Sequence, residues 1–138
     1  MVNYNLGKIY KIINNYNNLT YYGSTCGELR SRLCVHKSKA IGDLYNCTSK
    51  RLFNTDGDVK IYLVEQFPTD NKMLLHQRER YWIENNECVN KNIPCRSKQQ
   101  YRLDNKDKIK QYRFDNKDKM KQYQLEYRTK MKLQKSLN

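Results

Sequence analysis

Gly7-Lys-Ile-Tyr-Lys-Ile-Ile13, then Asn14-Asn-Tyr-Asn-Asn18, then Leu19-Thr-Tyr-Tyr-Gly23, is the stretch that decides the fold. Its first part is rich in β-branched and aromatic residues, which suit a pleated surface. Asparagine-rich chain interrupts it, and asparagine favours turns because its amide bonds to nearby backbone. A second β-rich run follows at once, so the stretch predicts a hairpin. Tyr10 stands on the first arm, and Tyr21 and Tyr22 on the second.

Outward from the hairpin, Glu28 to Ile41 carries Leu29, Leu33 and Ala40 at helical spacing. Thr48 reads as the cap of a short helix through Phe53, closed by Asn54 to Asp58. Val59, Ile61 and Leu63 alternate with Lys60, Tyr62 and Val64, a strand that should end near Pro68. Thr69 or Asp70 then caps a helix to about Asn85. Irregular chain with Pro94 follows. The order ββ-α-(α)-β-α predicts an α/β fold of the α+β kind: a small three-stranded, mainly antiparallel sheet flanked by helices.

The chain has 138 residues, with 27 Lys and Arg against 14 Asp and Glu, for a formal net charge of +13. Residues 1–95 hold 13 basic and 9 acidic side chains, and residues 96–138 hold 14 and 5. Apolar content falls at the same place. Residues 1–95 are therefore expected to be the folded domain and residues 96–138 a basic helical extension. So basic a chain suits a polyanionic partner, nucleic acid before an acidic membrane surface. A mean hydropathy of −1.04 and the absence of any long apolar run argue against a membrane span. The first fifteen residues alternate polar and apolar with no hydrophobic signal core. The five cysteines are odd in number and show no C-x-x-C spacing. Neither a secreted disulfide framework nor a familiar zinc pattern fits, Cys34 with His36 included. The expected location is intracellular.

The extension repeats itself. Asp104-Asn-Lys-Asp-Lys-Ile-Lys-Gln-Tyr-Arg-Phe114 is followed by Asp115-Asn-Lys-Asp-Lys-Met-Lys-Gln-Tyr-Gln-Leu125, a period of eleven. Eleven residues make three turns at ~3.67 per turn, close to a straight helix. Ser97 with Gln100 reads as a capping box that starts it. Asp104 with Asp107, and Asp115 with Asp118, read as weaker signals that could interrupt it. The lysines of the repeat (Lys106, Lys108, Lys110, Lys117, Lys119 and Lys121) are candidate contacts to a nucleic-acid backbone, with tyrosines available to stack.

Within the domain, Arg32 and His36 are four apart and share a helix face. Glu79 lies four after Leu75 and four before Ile83, on the stripe that should face the core. A buried carboxylate needs a cation, either an arginine or a divalent metal. Val89 to Pro94 adds two amides, Asn90 and Asn92, in a loop.

Together these residues resemble the GIY-YIG nuclease superfamily. Gly7-Lys-Ile-Tyr10 and Tyr21-Tyr-Gly23 resemble its paired signature, with Lys8 and Tyr22 at positions that vary. Arg32 and His36 look like its helix motif. Arg78-Glu79-Arg80-Tyr81-Trp82-Ile83 looks like its metal-binding motif, and Asn90 or Asn92 its closing asparagine. Tyr45 is a match for a second helix-region residue of some members. The Lys-rich tail looks like those of stand-alone members from large DNA viruses, which would put the protein in the nucleus or cytoplasm of an infected cell.

The resemblance implies a metal-dependent DNA endonuclease that cuts one strand per catalytic event. Its site would consist of Tyr10, Tyr21, Arg32, His36, Glu79 and Asn90. Glu79 would hold one Mg²⁺ or Mn²⁺, Arg32 would neutralise phosphoryl charge, and Tyr10 would be the base, with His36 lowering its pKa or relaying its proton. Double-stranded DNA is the implied partner, with Lys8 and Lys37 as further contacts. A homodimer is one route to double-strand breaks. The alternative is a non-enzymatic nucleic-acid-binding protein on an inactive nuclease scaffold.

Overall fold

The computed structural model describes residues 2–41, 48–53 and 58–136. The chain divides into two compact units, residues 1–95 and 96–138. Tyr45, Cys47 and the turn residues Asn54 to Gly57 lie outside the described residues.

The first unit is an α+β fold. Strands β1 (Lys8–Asn14) and β2 (Thr20–Thr25) form the expected hairpin. Helices α1 (Leu29–Ile41) and α2 (Lys50–Phe53) follow, then strand β3 (Val59–Gln66) and helix α3 (Lys72–Glu84). The sheet is antiparallel throughout, in the order β2-β1-β3. Its central strand is buried on both faces: Ile9, Tyr10, Ile12 and Asn14 are all fully covered. Tyr10 pairs with Gly23 and Ile9 with Ser24. Successive strand residues point to opposite faces. Tyr10, Ile12 and Asn14 therefore face α1 and α2, while Ile9, Tyr22 and Ser24 face α3.

Two local expectations are corrected. The alternation in β3 holds for Val59, Ile61 and Leu63 but breaks after Leu63, because the register slips between Ile9 and Tyr10. Tyr10 pairs with Leu63 and Ile9 with Glu65, so Val64 is an extra, bulged residue. Leu63, before the bulge, keeps the face of Val59 and Ile61 yet is 45% exposed. The cap of α3 is Asn71, whose side chain accepts from the Leu74 N–H, and not Thr69 or Asp70. Thr69 is buried earlier in the turn, its N–H bonded to the Tyr4 carbonyl.

Gly7 and Gly23 answer steric needs, since no glycine among the described residues has positive φ. A Cβ on Gly7 would lie 2.4 Å from the Phe67 carbonyl oxygen. One on Gly23 would lie 2.4 Å from the Tyr10 hydroxyl.

The second unit is helical: α4 (Lys98–Asp104), α5 (Lys106–Asp115) and α6 (Lys117–Ser136). Ser97 caps α4, accepting from the Gln100 N–H at 3.0 Å. The Gln100 side chain donates to Asp104 rather than completing the capping box. The interruptions fall at Asn105 and Asn116, one residue after the aspartates. Each asparagine amide donates back to the carbonyl four residues earlier, Tyr101 or Tyr112, at 2.9 Å. That bond competes with helix propagation. Eleven residues further on, Tyr127 takes the same repeat position and α6 runs straight through. Among the described residues no helix is long and apolar enough to cross a membrane.

Candidate active site

Helix α1 brings Arg32 and His36 onto the phenol of Tyr10. The Arg32 Nε–H donates to the Tyr10 oxygen at 2.9 Å, and the same oxygen lies 2.8 Å from His36 Nε2. His36 Nδ1 lies 2.9 Å from the Ser49 hydroxyl. An arginine N–H can only donate, so the Tyr10 oxygen accepts from it. The phenolic proton is then free to go to Nε2, which leaves the ring proton on Nδ1, donated to Ser49. This assignment follows from hydrogen-bond complementarity.

Burial sets the protonation states. It is the main cause that lowers the His36 pKa to about 4, and the nearby Arg32 and Lys39 cations add to it. His36 is therefore a neutral acceptor at physiological pH. Burial raises the Tyr10 pKa above its ordinary value, and Arg32 opposes that rise by charge and by hydrogen bond. For Arg32 burial acts against the cation, but Tyr10, Tyr21 and Glu79 outweigh it and the pKa is raised. Tyr21 is half-buried, with its ring edge-on to His36 at 5.2 Å between centroids.

Glu79 comes from α3, on the other face of the sheet, and accepts a hydrogen bond from the Ser24 hydroxyl at 2.5 Å. Burial raises its pKa, while Ser24, His76 and Arg32 pull the other way. Its charge is felt by both Tyr10 and Arg32. Among the described residues Glu79 has no ion-pair partner within 4.0 Å, so the arginine alternative for its cation is not met. The neighbouring arginines are used elsewhere: Arg78 clamps Glu65 with two bonds, and Arg80 pairs with Glu84. Trp82 also donates to Glu65.

This donor set fits a hard divalent cation. No group of three or more His, Cys, Asp or Glu side chains is gathered among the described residues. A single carboxylate suits Mg²⁺ or Mn²⁺, which keep much of their water and share phosphate oxygens. It does not suit zinc, which takes three or four nitrogen or sulfur ligands. His36 has both ring nitrogens engaged, and Cys34 is exposed.

Asn90 closes the edge of the sheet. Its carbonyl accepts from the Tyr22 N–H at 2.9 Å and its amide donates to the Tyr22 carbonyl at 2.8 Å. The side chain thus imitates a neighbouring strand, and the Val89 N–H extends the pairing to Thr20. Asn90 braces backbone and does not touch Glu79. Asn92 is exposed and lines a cleft of about 260 Å³ with Tyr21, Arg32, His36 and Lys91. The Lys8 ammonium lies 3.6 Å from Glu28 and donates to the Gly27 carbonyl, while Lys37 is exposed on α1.

Three contributors escaped sequence reasoning. Ser24 lies one residue past the expected end of the second strand. Ser49 sits beside Thr48, the residue expected to cap the short helix, and one position before α2 begins. Gly23 is legible as part of a motif, but its purpose, leaving room for the Tyr10 hydroxyl, appears only in the register. Tyr45 lies outside the described residues.

A family model described as the GIY-YIG catalytic domain matches residues 6–92. No curated protein and no solved structure matches the chain. The match spans every residue of the site, from Tyr10 to Asn90, and stops before the repeat tail.

Proposed function

The chain belongs to the GIY-YIG family of nucleases, and we propose that this member is a metal-dependent DNA endonuclease that cuts one strand per catalytic event. One observation carries the reading: Arg32, His36 and Tyr10 are joined by direct hydrogen bonds beside a half-buried carboxylate that, among the described residues, has no cation within 4.0 Å.

Glu79 is the residue that would hold Mg²⁺ or Mn²⁺. Held there, such an ion would supply charge relief at a phosphate oxygen and at the leaving oxygen. The chain's own residues supply the rest. The Tyr10 phenol is fully buried, with Arg32 and His36 on its oxygen. Arg32 is half-buried and borders the cleft. A phosphate entering the cleft draws the guanidinium outward, where it offsets charge developing on the phosphoryl oxygens. That movement uncovers the phenol oxygen. Tyr10 takes a proton from water as its own passes to His36 Nε2, giving an imidazolium held by Ser49 through Nδ1. The hydroxide left behind bonds to phosphorus as the bond to the leaving oxygen breaks, and His36, which binds the proton weakly, releases it to that oxygen or to solvent. Tyr21 orients the phosphate, and Asn90 holds β2 in register so that Gly23 and Ser24 stay in place. One such site cuts one strand; a double-strand break takes a dimer or two successive nicks. The basic tail grips duplex backbone.

The test is nicking of supercoiled plasmid with Mg²⁺ or Mn²⁺ by the wild-type protein, Glu79→Ala and Tyr10→Phe. Each substitution is expected to slow nicking by on the order of 10²–10⁴, with DNA binding retained. Binding without cleavage in all three proteins would overturn the enzyme and leave a binding module on a nuclease scaffold.

A further inference from the structure

The charge of the tail is sorted around the helix. Arg102, Lys106 and Lys110 are four residues apart, and Arg113, Lys117 and Lys121 repeat the ladder eleven residues later. Residues four apart are neighbours on a helix, and three turns bring the second ladder onto the face of the first. The structure shows this convergence for four of the six: Arg102, Lys106, Lys110 and Arg113 surround the half-buried Ile109 in a concavity of about 400 Å³. Lys108 and Lys119 sit two positions from the ladder residues, roughly 160° round the helix. They also follow Asp104 and Asp115 by four residues, an opposite-charge spacing on a helix. Within the ladder only Lys110 and Lys121 follow an aspartate at helical spacing, Asp107 and Asp118 by three residues. Like charges four apart repel and weaken a helix, and among the described residues none of the six ladder cations makes an ion pair. A polyanion laid along that face would remove the repulsion.

We propose that the tail binds duplex DNA through this single face, with the six ladder cations on backbone phosphates and Lys108 and Lys119 turned away. This rests on DNA as the substrate of the nuclease domain. At ~1.5 Å per helical residue the ladder from Arg102 to Lys121 spans at most about 28 Å across its two breaks, a little under one duplex turn of ~34 Å. A regular row of phosphates matches a row of cations of similar length. A bilayer surface is the weaker match, because an interfacial helix needs an apolar face opposite its charges. Here Ile109 lies beside the ladder, within the same concavity.

Two charge-matched triple variants of the full chain test the proposal. Lys106→Gln with Lys110→Gln and Lys117→Gln removes three cations from the ladder. Lys108→Gln with Lys119→Gln and Lys130→Gln removes three from the opposite side. Binding to a 30-base-pair duplex is read by fluorescence anisotropy in chelator, across a range of salt, with helicity checked by circular dichroism. The ladder variant should weaken binding at least tenfold, and its log–log salt slope should flatten by about 2–3, near ~0.9 per phosphate contact. The opposite variant should lose less than threefold. Equal losses in both, no loss in either, or tighter binding to phosphatidylserine vesicles than to duplex would each overturn the proposal. Plasmid nicking by the wild type is read in parallel. Its absence would remove the nuclease assignment while leaving the one-sided binding result standing.

Discussion

The two units of this chain are ordered by opposite means. In residues 1–95, groups far apart in sequence meet: Tyr10 touches residues 22 and 26 positions away, and Asn90 bonds Tyr22 across 68. Among the described residues of 96–138 every hydrogen bond spans eight residues or fewer, and most span four. Their large apolar side chains are mostly exposed, Phe114 at 76% and Tyr123 at 70%. The domain builds a site because its contacts are long-range and mutually dependent. The tail offers a surface because its contacts are local and repeat. A change in the domain should therefore disturb several functions together, and a change in the tail should act locally and additively.

The largest expected break lies at Gly23. A methyl group there meets the oxygen and ring of a tyrosine pinned by Arg32 and His36. Gly23→Ala should cost about 1–3 kcal/mol in stability through overpacking and slow nicking by roughly 10², as a displaced catalytic group does. Chemical denaturation beside the nicking assay checks both. Full activity in Gly23→Ala would mean that the position of the phenol is not critical.

Next comes pH. His36 is depressed to about 4 in the fold, against ~6.5 when unfolded. The unfolded chain thus binds the proton first on acidification. The stability His36 provides is complete above pH ~6.5 and is lost as pH falls toward 4, by about 3 kcal/mol in all at ~1.4 kcal/mol per unit. Denaturation midpoints from pH 7.5 to 4.5 should show this slope in the wild type, and it should flatten in His36→Gln. An unchanged slope in that variant would place the proton uptake elsewhere.

The smallest effects belong to the tail. Asn105→Ala with Asn116→Ala should remove both breaks, raise helicity by circular dichroism, and leave the unfolding of the domain within about 0.5 kcal/mol. Tyr127→Asn should introduce a third break. A domain midpoint that moved with either would show that the two units do not behave independently.

The hairpin, the helix order and the approximate ends of each element were legible from alternation, turn chemistry and helical spacing. Arg32 with His36 and the inward-facing Glu79 were legible as shared-face pairs. The bulge at Val64 was not, because it arises from pairing with β1 and leaves no trace in local propensity. The cap of α3 was missed because Thr69, Asp70 and Asn71 are all capping residue types; burial of Thr69 in the preceding turn left the role to Asn71.

By itself, then, the sequence determined the elements, the repeat and its period, and the residue types of the site, since all of these depend on neighbours within a few positions. The tertiary structure alone decided which atoms meet: the phenol between Arg32 and His36, Ser49 behind the imidazole, Ser24 on Glu79, and Asn90 rather than Asn92 on the strand edge. Those meetings depend on strand register and on which face a helix covers, and a shift of one residue in register turns every side chain of a strand to the other side.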